Sequence, residues 1–212
     1  MFIDTKRGCS IPDLAEFYAN CVVTNGVVTN TVSGYEVRFD AREIGELLGV
    51  SSKGFDVYVR EDKCVLGDEG LLELTQRLAQ KPHLTMSWSV RRDEMVSLHR
   101  LLFWFVIKNI IPRGQGCNLA DPMDLCYTDL LDQSQQINLP AIIISHIRRI
   151  ANTTKDHDMR YGFLLTSVFE KLGIPLQKRV GFQVSDEIDN STLIGCGFTV
   201  TKGSSATSKQ GL

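Results

Sequence analysis

Apolar positions recur at helical spacing along much of this chain, and one short region alternates instead. After Pro12, the residues Leu14, Phe17, Tyr18 and Cys21 fall on one helical face. Pro12 suits a first turn, and Asp13 and Glu16 suit the positive end of the helix dipole. The run 22–32 is rich in β-formers, with turn signals at Asn25-Gly26 and Ser33-Gly34. In 35–39, Tyr35, Val37 and Phe39 alternate with Glu36 and Arg38, the period of a half-buried strand. Asp40 and Glu43 then form a capping-box pattern ahead of a helix over 41–48, which Gly49 stops. A second alternating run, FDVYV, follows Gly54, and a helix starting at Asp68 or Glu69 runs to Gln80.

The most apolar stretch is 98–112, LHRLLFWFVIKNIIP. Its unbroken apolar core, 101–107, is far shorter than the roughly 20 residues of a membrane span. Its flanking charges mark a buried helix instead, expected from Asp93 to Ile111 and stopped by Pro112, Gly114 and Gly116. Asp121-Pro122 opens a helix over 123–133. Asn138-Leu139-Pro140 opens another over 141–151, apolar on much of its circumference. A further helix over 161–172 closes at Gly173 and Pro175. The runs 180–184 and 193–200 suggest short strands. The pattern predicts a mainly α (α+β) fold: a multi-helix bundle with a small antiparallel β element near the N-terminal third. Residues 1–10 are expected to be a flexible N-terminus, 11–179 the folded domain, and 180–212 a Gly/Ser/Thr-rich, largely disordered tail.

Composition sharpens this in two ways. With 43 % hydrophobic residues, a chain of 212 residues can bury a sizeable core. The formal net charge of −2 argues against a dedicated binder of phosphate backbones. The six cysteines are scattered, without a CxxC pair, and no signal peptide is visible in 1–11. Reduced thiols in an intracellular setting, nucleus or cytoplasm, are therefore expected, with no membrane association, no metal site and no cofactor.

Candidate chemistry is sparse. Asp121 and Asp124, and Asp129 and Asp132, are spaced to put two carboxylates on one helix face. Such pairs can bind a metal or do acid–base work, and they are also common on helix surfaces. His99 and His146 sit on apolar helices, where a hydrogen-bonded core histidine is the usual role. No HExxH, Walker lysine motif, GxGxxG or GxSxG occurs. The loop Arg113-Gly114-Gln115-Gly116 follows a helix rather than preceding one, which suits a helix stop and not a phosphate cradle. No catalytic set emerges, and the chain is not expected to be an enzyme.

Charge is unevenly spread. Residues 40–73 hold nine acidic and four basic residues, a net of −5, and residues 138–179 hold seven basic and three acidic, a net of +4. Arg148, Arg149, Lys155, Arg160, Lys171, Lys178 and Arg179 are candidates for one basic face. Three readings fit it: an ordinary solvated face, a nucleic-acid contact through phosphates, or a dock for an acidic protein partner.

Five blocks in fixed order carry a family resemblance: FYAN, VRFDAREIGELLG, LLFWFVIKNIIPRG, DLCYTDLLDQSQQINLPAIIISHI and GFLLTSVFEKLGIPL. Together they resemble the plant transposon protein domain, a family of plant retroelement and transposon products, over 12–178. The segment VRFDAREIGELLGV is also similar to part of the plant mobile domain, another transposon-linked family. The resemblance implies an element-derived, mostly helical domain without established catalytic residues. The expected function is a non-catalytic interaction or assembly domain, through a protein partner or self-association. The alternative is a nucleic-acid-binding module using the basic 148–179 region.

Overall fold

The computed structural model describes residues 8–56, 67–83, 85, 90–113, 116–152, 161–177, 188–200 and 207–208. In chain order the helices are α1 (Ile11–Asn20), α2 (Ala41–Leu48), α3 (Gly67–Ala79), α4 (Ser97–Phe105), α5 (Pro122–Asp132), α6 (Leu139–Ala151), α7 (Gly162–Lys171) and α8 (Asn190–Gly195). The strands are β1 (Val22–Thr24), β2 (Val27–Val32), β3 (Tyr35–Phe39), β4 (Val90–Arg91), β5 (Leu119–Ala120), β6 (Phe198–Thr199) and β7 (Thr207–Ser208). The fold is mainly α with a small antiparallel sheet near the N-terminus, as the periodicity predicts.

The chain divides into two compact units, Met1–Glu61 with Ile137–Val184, and Asp62–Gln136 with Ser185–Leu212. In the first, β1, β2 and β3 form an antiparallel meander in that order. Its two turns are Asn25-Gly26 and Ser33-Gly34, all four residues at positive φ, the backbone of two-residue hairpins that match strand twist. Val28, Val32, Val37 and Phe39 point to one face and are buried there. Helices α1, α2, α6 and α7 supply the rest of that core through Leu14, Phe17, Ile44, Ile143, Ile147, Leu165 and Phe169. Phe17 lies at its centre, with ring centroids 5.3 Å from Phe169 and 6.3 Å from Phe39.

Local signals set these helix ends. The Asp40 side chain accepts from the Glu43 N–H, and Glu43 accepts from the Asp40 N–H, each at 2.8 Å, so the capping box is complete. Gly49 ends α2 at φ 71°. Asn138 caps α6 by accepting from the Ala141 N–H at 3.1 Å. Gly45 lets α2 sit close to its neighbours: a Cβ there would lie 2.9 Å from the Val50 carbonyl oxygen and 3.2 Å from Pro140 Cγ.

In the second unit α5 packs against α3 and α4, and β4 pairs with β5. The long helix expected from Asp93 to Ile111 is broken up. Arg92–Glu94 is a 3₁₀ turn, α4 starts only at Ser97, and Val106–Ile110 is a π-helical turn. Arg100 satisfies the break. Its guanidinium donates to the carbonyls of Asp93 and Met95, both at 2.7 Å, where a continuous helix would bring backbone N–H groups. The π turn buries Val106, Ile107 and Ile110 together. Residues 188–200 also depart from expectation. They hold α8, which covers Leu193 where a strand was expected, and then β6, paired with β7. Of the FDVYV run, Phe55, which forms an isolated bridge with Ile137, and Asp56 are described; 57–59 and the run 180–184 lie outside the described residues.

Asp13 ties three segments of the first unit together. Fully buried, it accepts from Ser10 Oγ, from Ser33 Oγ at 2.8 Å and from the Gln177 N–H at 2.8 Å. Beside it Glu16 accepts from the Ser33 N–H at 3.0 Å. Asp13→Ala leaves the buried Ser10 hydroxyl and the donors from Ser33 and Gln177 without their acceptor, and urea unfolding should show a loss of about 2–4 kcal/mol. A loss below about 0.5 kcal/mol, the range of ordinary surface substitutions, would contradict this role.

Candidate functional site

The carboxylates that the sequence singles out lie on α5, and the structure pairs each of them. Asp121 caps the helix, its Oδ1 accepting from the N–H groups of Met123 and Asp124 at 2.9 Å. Asp124, at N3, accepts back from the Asp121 N–H at 2.9 Å. Arg113 closes the cluster: its guanidinium lies 2.7 Å from Asp124 and 3.6 Å from Asp121, donates to the Leu119 carbonyl at 2.8 Å, and sits 5.7 Å from the Phe103 ring centroid. One helical turn from the other end, Asp129 pairs with Arg77 of α3 and accepts from Gln133 Nε2 at 2.9 Å. Asp132 Oδ2 lies 3.5 Å from His99 Nε2. The other His99 nitrogen, Nδ1, is 3.0 Å from the Leu78 carbonyl, which can only accept, so Nδ1 carries a proton there.

This row therefore fastens α5 to α3, to α4 and to the loop before β5. Sequence spacing finds the acids and misses their partners. Arg113, read as part of a helix stop, is eight residues from Asp121, and nothing in that spacing announces an ion pair. Among the described residues no three His, Cys, Asp or Glu side chains group as a metal site. Among the described residues, Cys9, Cys21, Cys117 and Cys196 are free thiols. Burial pushes the thiols of Cys9, Cys21 and Cys196 up, away from the nucleophilic thiolate.

Of the basic candidates, Arg148, Arg149 and Lys171 are described; Lys155, Arg160, Lys178 and Arg179 lie outside the described residues. Arg148 and Arg149 are exposed in the last turn of α6, at the negative end of its dipole. Lys171 ends α7, and its Nζ donates to the Leu47 carbonyl at the C-terminal turn of α2. Its charge thus serves a helix end within the first unit. No helix among the described residues is long and apolar enough to cross a membrane.

Asp124 is the titrating group of the α5 cluster. Burial first, and the Asp121 carboxylate second, push its carboxyl up to about 7, against the pull of the Asp121 N–H and the Arg113 guanidinium. A carboxyl unfolds to a value near 3.9. Between those limits the folded chain holds more protons, so this group's contribution to stability declines as pH rises from about 4 through 7. Wild-type protein compared with Asp124→Asn by urea unfolding from pH 5 to pH 8 should show that decline in the wild type and a flatter profile in the variant. A difference of opposite slope would mean that the guanidinium overcomes burial.

A family profile described as "Putative plant retrotransposon-related domain" matches residues 2–175. No curated protein and no solved structure matches the chain. The matched stretch takes in α1 to α7, the meander and the α5 cluster alike, and the chain belongs to the plant retrotransposon-related family.

Proposed function

We propose that this chain is a non-catalytic interaction and assembly domain of a plant retroelement product. The observation that supports it most is the commitment of the α5 acids: Asp121, Asp124, Asp129 and Asp132 each meet Arg113, Arg77 or His99. Side chains held this way stabilise a scaffold, which supports a structural role for these four acids. Exposed apolar side chains of the first unit, Val22 and Tyr35 on the sheet among them, supply contact surface for a protein partner or a second copy. The free thiols among the described residues fit an intracellular setting.

Light scattering from purified protein across a rising concentration series should show growing mass, and incubation of DNA or RNA with Mg²⁺ or Mn²⁺ should yield no cleavage. A chain that stays monomeric and cleaves with metal, losing cleavage in Asp132→Asn, would sink this reading.

Exposed Arg148 and Arg149 favour a second reading, nucleic-acid binding through the basic region. Salt titration of duplex binding should then give a steep slope, reduced by about 2 in the doubly substituted Arg148→Glu, Arg149→Glu variant. Affinity without salt dependence, or an unchanged slope, counts against it.

A further inference from the structure

We infer that β3 is a self-association edge, through which two copies of this chain pair antiparallel about a two-fold axis at Val37. The inference rests on the assembly reading and names the surface that would carry it. Strand order puts β3 at one border of the meander and β1 at the other. The two borders differ in what they offer. Val32 and Tyr35 flank the two-residue turn, and in such hairpins the flanking pair exchanges its hydrogen bonds. Alternation then turns the N–H and C=O groups of Tyr35, Val37 and Phe39 toward β2, and those of Glu36 and Arg38 outward. By the same rule β1, with Thr24 opposite Val27 at its turn, turns only Val23 outward. The outward series on β3 ends at Asp40, whose N–H is taken by Glu43. Among the described residues, β3 alone in this sheet presents two consecutive outward residues, the minimum for a hydrogen-bonded ladder with a copy of itself.

Charge selects the register. Outward groups allow Glu36 opposite the partner's Glu36, Arg38 opposite the partner's Arg38, or Glu36 opposite the partner's Arg38. The first two set like charges face to face, which destabilises a strand pair. The third sets opposite charges in both halves of the symmetric ladder. It forms four backbone hydrogen bonds, with Val37 facing the partner's Val37 at the axis and exposed Tyr35 opposite the partner's Phe39. The side chains of Glu36 and Arg38 are exposed, and the one ion pair that competes for Arg38 is long, 3.8 Å to Glu43. A self-complementary strand of this kind meets the isologous requirement of a two-fold dimer. The contact is small, so the dimer is weak and forms only as concentration rises.

The test uses charge reversal with rescue. Glu36→Arg puts Arg opposite the partner's Arg38, and Arg38→Glu puts Glu opposite the partner's Glu36. Sedimentation velocity of the full chain from about 5 µM to about 500 µM should show reversible dimerisation of the wild type, weakened about tenfold or more in either single variant. The double variant E36R/R38E should recover it, and an equimolar mixture of the two single variants should form heterodimers. Both positions are solvent-facing, and unchanged circular dichroism and unfolding midpoints confirm that the variants fold. If all forms associate equally, the β3 assignment fails and the assembly reading stands on another surface. If the wild type stays monomeric throughout, the β3 assignment fails, and the assembly reading then depends on a heterologous protein partner.

Discussion

Asp13 is the constraint on which the first unit depends. A buried carboxylate is costly unless its oxygens are satisfied, and here two of the three satisfying groups come from distant parts of the chain. Ser10 belongs to the approach to α1, Ser33 to the β2–β3 turn, and Gln177 to the chain leaving α7. Those contacts fix where the meander sits against α1 and bring the segment after α7 back to the beginning of the fold. Asn30 extends the tie, its Nδ2 donating at 2.5 Å to the Phe17 carbonyl near the end of α1. The polar knot thus borders the aromatic cluster of Phe17, Phe39 and Phe169, so hydrogen-bond geometry and close packing specify the same arrangement.

The second unit solves a related problem with charge. Helix α5 and its N-cap carry four aspartates, and an isolated run of that sign would repel itself. Arg113 and Arg77 answer it from other elements, so the acids become fasteners. Breaking such a pair on one side costs more than the pair contributes, because the remaining charge is left without its partner. That asymmetry keeps a partly buried acidic row compatible with a folded scaffold.

Local signals were legible in the sequence; tertiary ones were not. The Asp40–Glu43 box, the Asn138 cap and the turns at Asn25-Gly26 and Ser33-Gly34 depend on neighbours within a few residues, and each stands where the sequence puts it. Alternation in Tyr35–Phe39 located the strand and its buried face. The break between Glu94 and Ser97 leaves no mark on periodicity, and the carbonyls it frees are met by side-chain donors of Arg100. Asp13 was legible only as a helix-dipole residue, since its partners at Ser33 and Gln177 lie 20 and 164 positions away. The α5 acids were found as a pattern, but whether they serve a ligand or the fold depends on Arg113 and Arg77, which no spacing rule connects to them.

The same contrast separates the two surfaces open to a partner. The basic region owes its charge to sequence composition, and one of its members, Lys171, is already engaged at the end of α2. A solvated helix end gains from nearby cations whether or not a ligand exists, so positive charge there has a sufficient internal cause. The edge of β3 has no such internal cause. Proteins commonly blunt a free edge with charged side chains, a proline or a bulge; YEVRF has neither proline nor bulge, and its two charges, Glu36 and Arg38, are of opposite sign. Its opposite charges are arranged so that the strand complements its own copy, whereas two like charges would have blocked that pairing.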